Sequence, residues 1–445
     1  MRPFLAAALA ALALVVSGCG SSSVNGTAHG ATLDGDAAKL VPSNAVAFVS
    51  VDSDLNSSQW QRVDTLVKSF TNGMSLIDEL NSKLKPKGLT WKDDVAPAVG
   101  PEVDVAILPN AATPEVVAFT HPGDESKLSA LVAKLGKNYS VQQIGGWSVV
   151  ADSQDSFNAV RSAQSGQSLA DNSTFTTAWS SVAGDSLARA YVNGAAKTEN
   201  QTAAEGSHPD WIAARVNADA STLRVDAVVK PHGAPPAVTG DWLLGDVPSG
   251  AALAVAFHGM SDLSAKLSSL QLPKGLAQTL PLKQLGPLLA GGGVVYLRPN
   301  GLLPDIAVEL APKDPRTALA TVQTVIKGLG TKLGPLQLTA KVAGNKLVIA
   351  DSPAAAAALR GGSKLVDDAA YKDALSKAGV PAQTSFLVYA DVSQLAPFIP
   401  IVVQAVTGKA PDPALAANLA HVGTVVAWGT RSGGRVQLHA WLQPR

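Results

Sequence analysis

Hydrophobic positions along this chain follow two rhythms, and the order of the rhythms repeats. In EVDVAIL (102 to 108) Val103, Val105 and Ile107 recur every second residue, the period of a strand with one buried face. PEVVAFT (114 to 120) follows across a turn of Pro, Asn, Ala and Thr, so the two stretches predict a hairpin. The period then changes. Leu128, Leu131, Val132 and Leu135 recur at helical spacing, and Gly136 ends the stripe. Two further strands, YSVQQIG and GWSVVADS, meet at Gly145-Gly146, a pair suited to a two-residue hairpin turn. Two helical stretches, a strand carrying Tyr191 and a closing strand pair within 211 to 230 complete the series.

The series then starts again. LVPSNAVAFVSVD (40 to 52) recurs as DVPSGAALAVAFH (246 to 258), ILPN (107 to 110) as LRPN (297 to 300), and WSVVADS (147 to 153) as KLVIADS (346 to 352). SLADNSTFTTAWSSV (168 to 182) matches KLVDDAAYKDALSKA (364 to 378), and LARAYVN (187 to 193) matches FLVYADV (386 to 392) with Tyr191 and Tyr389 aligned. FTHPGD (119 to 124) matches ELAPKD (309 to 314), which places Asp314 as an N-cap and Pro315 at the first helical position. Matches in one unbroken order predict an internal duplication. Between the copies, KPHGAPPAVTGDW (230 to 242) sustains neither helix nor central strand, which puts the boundary near residue 237. Strand pairs with tight turns and helices between them predict an α+β fold: two tandem homologous domains, each a mainly antiparallel sheet with helices packed on one face. The expected spans are 40–232 and 246–445, joined by a linker at 233–245.

The start of the chain has a different pattern. Arg2 precedes residues 4 to 16 (FLAAALAALALVV), which carry no charge. As a helix this run reaches roughly 20 Å, short of the ~30 Å hydrocarbon core of a bilayer but right for a secretory signal peptide. Val16-Ser17-Gly18-Cys19 resembles a bacterial lipobox, in which the thiol is acylated and the chain is cut just before it. Residues 1–18 therefore read as a lipoprotein signal peptide and Cys19 as the lipidated first residue of the mature protein. Cys19 is the only cysteine in the 445 residues, so no disulfide forms within the chain. Residues 19–39, rich in Gly, Ser, Ala and Thr, read as a flexible tether.

VPSNAVAFVSVD, the short helix WKDDVAPAVG, VVADS, SLADNSTF and the Tyr191 strand together resemble the envelope lipoproteins of high-GC bacteria grouped as domain of unknown function 3352. The resemblance implies an extracytoplasmic, membrane-anchored protein. That family has no assigned activity, so no functional residues follow from it.

Composition narrows the function classes. Apolar residues make up 46% and charged ones 16%, which excludes a disordered chain, while aromatics at 5% leave a core of mostly Ala, Val and Leu. Lys+Arg and Asp+Glu balance at 35 each, so no long-range field draws a nucleic acid. The cationic stretch KLKPKGLTWK (83 to 92) reads as a solvated helix end.

The sequence predicts no catalytic residues, no cofactor and no metal. There is no GxxxxGK[ST], GxGxxG or GxSxG, and the glycines of LAGGGVV (289 to 295) precede a strand rather than follow one. Ser82 and Lys85 match SxxK without its companion elements. The histidines, at 29, 121, 208, 232, 258, 421 and 439, never pair as HExxH or HxH. Asp52 and Asp54 lie two apart and read as a strand end followed by an Asx N-cap, with Asp54 or Ser53 capping the helix before Trp60, since His258 takes the place of Asp52 in the second copy. Asp171 and Asp367 read as helix N-caps ahead of core aromatics Phe175 and Tyr371. Leucines across 269 to 292, broken by prolines, read as short helices covering a sheet, with an apolar groove or a face resting on the membrane as the alternative. The expected function is a non-enzymatic binding or structural lipoprotein of unknown ligand, held to the membrane by its anchor, with another envelope protein or an apolar ligand as the candidate partner and no nucleic acid. Carriage of an apolar molecule is the alternative, and an envelope hydrolase the second alternative.

Overall fold

In the computed structural model the strand Ala47–Asp52 (β1) lies mid-sheet, antiparallel to Glu102–Leu108 (β2) on one side and to Ala188–Asn193 (β6) on the other. The structure describes residues 33–68, 75–109, 114–135, 138–196, 208–219, 221–233, 238, 240–259, 288–301, 303–329, 338–399, 419 and 421–445. The chain divides into two compact units, one of residues 1–233 with 434–437 and 444, the other of residues 234–433 with 438–443 and 445.

In the first unit β2 pairs with Glu115–Thr120 (β3), β3 with Trp147–Ala151 (β5), and β5 with the edge strand Ser140–Ile144 (β4). On the other side β6 pairs with Pro209–Ala218 (β7), and β7 with Leu223–Pro231 (β8). Every one of these pairs is antiparallel, and the order is β4-β5-β3-β2-β1-β6-β7-β8. Gly145 and Gly146 both have positive φ, 60° and 84°, as a two-residue turn between β4 and β5 requires.

The helices of this unit are Ser58–Lys68 (α1), Leu76–Leu84 (α2), Ala96–Val99 (α3), Glu125–Leu135 (α4), Gln154–Ser165 (α5) and Ser173–Ser180 (α6). They cover both faces of the sheet, which corrects the expectation of helices on one face. Side chains alternate along a strand. Ala106, Phe119 and Val149 pack on one face with Phe157 and Val160 of α5 and with Phe175 and Trp179 of α6. Their neighbours Val105, Ala118 and Val150 pack on the opposite face with Ala98 of α3 and Leu128 and Val132 of α4. Trp60, Val63 and Leu66 of α1 cover Val216 and Ala218 of β7. Strands that are apolar at consecutive positions need a cover on each side.

The second unit has the order β12-β13-β11-β10-β9-β14-β15-β16, from Thr339–Ala343 (β12), Lys346–Ala350 (β13), Asp305–Leu310 (β11), Gly293–Arg298 (β10), Leu253–Phe257 (β9), Phe386–Asp391 (β14), Val422–Ser432 (β15) and Arg435–Pro444 (β16). Each strand holds the place of its sequence counterpart in the first unit. Among the described residues its helices are Pro315–Leu329 (α7), Pro353–Ala358 (α8), Ala369–Ala378 (α9) and Val392–Leu395 (α10). Asp314 caps α7 as expected, its Oδ1 accepting from the Arg316 and Thr317 amides at 3.0 and 3.3 Å. The aromatic anchors also correspond: Phe175 meets Tyr191 edge-on at 5.1 Å, and Tyr371 meets Tyr389 edge-on at 5.1 Å.

Both units begin earlier than the sequence pattern indicated. Residues 33–39, expected in the tether, are part of the first unit: Leu33, Ala37, Ala38, Leu40 and Val41 are buried, and Asp36–Leu40 forms a 3-10 turn. In the second unit the 3-10 turn Leu243–Asp246 buries Leu243 and Leu244, so the end of the expected linker is core. These turns are apolar but too short to show a period. Residues 1–32, with the expected signal peptide and Cys19, lie outside the described residues, as does most of the leucine stretch at 269–292. Among the described residues no helix is long and apolar enough to cross a membrane.

Candidate functional site

The chemistry-bearing side chains of the first unit lie in a row across its sheet. Along β1 the residues Phe48, Ser50 and Asp52 share one face. The register sets Ser50 opposite Asp104 on β2 and opposite Arg189 on β6. Arg189 in turn stands opposite Arg215 on β7, and Arg215 opposite Asp226 on β8. One residue pair further along β1, Asp52 stands opposite Glu102. The row lies on the face that also carries Phe48, Phe119 and Tyr191, under α5, α6 and residues 33–41.

Burial sets the electrostatics. Asp104 and Ser50 are wholly buried, and neither oxygen of Asp104 makes a well-formed hydrogen bond among the described residues. Its polar surroundings are the Ser50 hydroxyl, the Ala37 amide and the Glu102 carboxyl. Loss of hydration, with the Glu102 charge beside it, holds the Asp104 carboxyl well above the usual carboxylate range. Burial raises Glu102 too, although the Ser50 hydroxyl donates to its Oε1 at 2.5 Å. Two neighbouring carboxyls that both resist ionisation hold a proton between them more readily than either does alone.

Arg189 does not neutralise the pair by direct contact. It donates from Nη1 to the carbonyl of Leu33 at 2.6 Å and from Nη2 to the carbonyl of Trp179 at 2.5 Å, and its guanidinium lies 4.1 Å from the Trp179 ring centroid. Burial lowers its pKa to about 10. Trp179 Nε1 donates to the carbonyl of Asp34 at 3.3 Å, so both side chains grip the same short segment. Arg215 is held by Asp226 at 2.9 Å and donates to the carbonyl of Ala183.

The second unit has no equivalent row. The positions of Ser50, Asp104 and Arg189 are taken there by Ala256, Val294 and Leu387, all buried in the core. The polar row is therefore a property of the first unit and not a requirement of the strand order.

The cap expected at Asp54 or Ser53 is instead Ser57, whose Oγ accepts from the Trp60 amide at 3.3 Å at the start of α1. Asp52 is buried and accepts from the Asp54 amide at 2.9 Å and from the Ser57 hydroxyl. Burial outweighs these bonds and raises its carboxyl to about 7. Asp171 closes a capping box with Ser168 on the 3-10 turn Leu169–Asp171, whereas α6 itself is capped by Asn172, whose Oδ1 accepts from the Thr174 and Phe175 amides at 2.9 and 3.3 Å. Asp367 is exposed, and it is Asp368 that binds the Ser249 hydroxyl at 2.5 Å and the Gly250 amide at 3.0 Å. Of the described histidines, His121 lies tilted against Trp147 at 3.9 Å and His258 stacks on Trp242 at 4.8 Å. Lys85, Lys87 and Lys92 are exposed around the end of α2. Among the described residues no group of three His, Cys, Asp or Glu side chains is placed to hold a metal ion.

Asp104, Glu102 and Arg189 were not singled out from sequence. The available signal was Arg189, a charged residue sharing the face of Tyr191 in LARAYVN, whereas the alternation in EVDVAIL put Asp104 on the face opposite Val103, Val105 and Ile107.

No family model matches the chain, and no curated protein matches it. Solved structures of TP0453, a treponemal lipoprotein, are weakly similar. Crystal forms I and IV each have a TM-score of 0.25, at 10% and 11% identity, and each match covers 45% of this chain and 81% of that one. Crystal form III has a TM-score of 0.19 at 13% identity, covering 74% of this chain and 93% of that one. A likeness at these TM-scores carries no argument about function.

Proposed function

We propose that this chain is a lipid-anchored protein of the bacterial envelope, held through Cys19 and facing outside the cytoplasm, and that it works as a binding or structural module rather than as an enzyme. The observation that carries the reading is the sequence VVSGC, an apolar run of signal-peptide length ending on the single cysteine. Two or more acyl chains on one residue suffice for stable anchoring, at ~0.8 kcal/mol per buried methylene. Leu33, the first described residue, is buried and comes fourteen positions after Cys19. The Gly, Ser, Ala and Thr between them have the composition of a flexible tether, which at that length would span on average roughly 20 Å. The polar groups of the first unit support a structural role, since Ser50 is directed at Glu102, Arg189 at two backbone carbonyls and Arg215 at Asp226.

Phase partitioning with a nonionic detergent, followed by mass spectrometry of the N-terminal peptide, tests the proposal. The expected result is a mature chain that begins at an acylated Cys19 and enters the detergent phase, with Cys19→Ser left in the aqueous phase. Cys19→Ser retained in the detergent phase to the wild-type extent overturns the anchor.

A further inference from the structure

The second unit carries its own buried polar group, at three positions that are apolar in the first. Lys346, the first residue of β13, places Nζ 2.6 Å from Oδ2 of Asp246, at the end of the 3-10 turn Leu243–Asp246. The same Nζ lies 3.4 Å from Oε2 of Glu309 on β11. Glu309 is buried, with 5% of its side chain exposed, and Lys346 and Asp246 are half-buried. In the first unit the aligned residues are Leu40, Phe119 and Trp147, all members of the core. The trio has thus been exchanged as a set. A simple ion pair requires two of these groups. The third, an acid that borders both of the others, is what acyl transfer from a carboxyl to an amine requires.

We propose that Lys346 and Asp246 become joined by an intramolecular isopeptide bond, with Glu309 as the group that carries the protons. The reaction starts from the Lys346 ammonium and the Asp246 carboxylate. Glu309 takes one proton from Nζ and delivers it to Oδ2 of Asp246. The freed Nζ lone pair attacks Cγ of Asp246. Glu309 then moves a second proton from Nζ to the same oxygen, the Cγ–Oδ2 bond breaks, and one water leaves. An ammonium and a carboxylate become one secondary amide and one water, Glu309 is regenerated, and no oxidant or external reactant is consumed.

Burial, against the pull of the Lys346 charge and with the push of Asp246, brings the Glu309 carboxyl up to about 7, the range in which one group can both accept and donate a proton near neutrality. Burial disfavours the Lys346 ammonium, but the hydrogen bond to Asp246 and the two carboxylate charges outweigh it and raise its pKa. The resting pair is therefore charged, and the proton relay through Glu309 is the step that the amine depends on. The bond closes a loop spanning 100 residues and ties the entry of the second unit to β13. A chain with a single cysteine has no disulfide with which to make such a clamp. The proposal is independent of the anchoring reading above.

Tryptic digestion of the purified full-length protein and mass spectrometry test it. The expected result is the peptides bearing Asp246 and Lys346 joined, one water lighter than their sum, with no cleavage after Lys346. Asp246→Ala restores that cleavage, and Glu309→Gln lowers the joined fraction by at least about tenfold. Wild-type protein cleaved fully after Lys346 overturns the bond, and so does a cleavage block that persists in Asp246→Ala. A joined fraction in Glu309→Gln equal to that of the wild type overturns the role of Glu309. The wild-type measurement decides the main point whether or not either variant folds.

Discussion

Arg189 Nη1 donates to the carbonyl oxygen of Leu33 at 2.6 Å and so joins a central strand to a residue 156 positions earlier in the chain. The bond closes the face of the first unit. Leu33, Ala37, Ala38, Leu40 and Val41 pack over the polar row, and the guanidinium holds their leading end while stacking on Trp179.

Arg189→Met keeps the aliphatic stem and removes both donors. It is expected to cost about 3 kcal/mol, since each hydrogen bond from a charged group contributes roughly 1.5–3 kcal/mol and two buried carbonyls lose their partner. Arg189→Lys is expected to recover less than half of the loss, because an ammonium lacks the planar fork that reaches two carbonyls at once. Urea denaturation gives the magnitude, and hydrogen exchange at the amides of Ala38 and Val41 locates it. Unchanged exchange at those amides in Arg189→Met means that the segment is held by packing alone.

Stability is expected to fall as pH rises through the carboxylates of the row. An acid whose folded pKa is raised binds more protons in the native state than in the unfolded one across the interval between its two pKa values. The stability lost over that interval stays lost above it. For Asp52 the interval runs from the ordinary range near 4 to about 7. Glu102 and Asp104 shift in the same direction, Asp104 the more strongly, both through burial first. Asp104→Asn is therefore expected to stabilise the protein by about 1–3 kcal/mol at pH 8 and by little at pH 4. Denaturation midpoints at a series of pH values check this, and a variant that is less stable than wild type at pH 8 contradicts it.

The buried tyrosines provide an internal comparison. The hydroxyls of Tyr191 and Tyr371 are buried without a hydrogen bond among the described residues, whereas Tyr296 donates to the carbonyl of Ala355 at 2.6 Å. Tyr191→Phe and Tyr371→Phe remove an unpaired polar group and are expected to be neutral or to stabilise by up to about 1 kcal/mol. Tyr296→Phe is expected to destabilise by about 1–2 kcal/mol, because it leaves a carbonyl without its donor. Thermal or urea unfolding of the three variants ranks them, and a loss in Tyr191→Phe as large as in Tyr296→Phe would show that its hydroxyl has a partner in solution.

Much of the architecture could be read from the chain. The β4–β5 turn at Gly145-Gly146, the Asp314 cap, the hairpin of β2 and β3 and the paired Phe175–Tyr191 and Tyr371–Tyr389 anchors all follow from local chemistry or from recurrence at a fixed place in the series. The second layer of helices was not legible. The alternation in EVDVAIL identifies one apolar face, but Ala106 and Leu108 on the other are small or terminal and read as neutral. The entry segments 33–40 and 243–246 were hidden for a related reason: in composition they resemble the tether and linker beside them, and only their contacts make them core.

The sequence alone determined which stretches become strands, which become helices and in what order they recur, because those choices rest on periodicity and on single-residue backbone preferences. Only the tertiary structure decided which charged residues meet. Ser50, Asp104 and Arg189 are far apart in the chain and come together through strand register, as do Asp246, Glu309 and Lys346 through the packing of an entry turn against β11 and β13. Register depends on how whole strands pair, and no local stretch of sequence contains it.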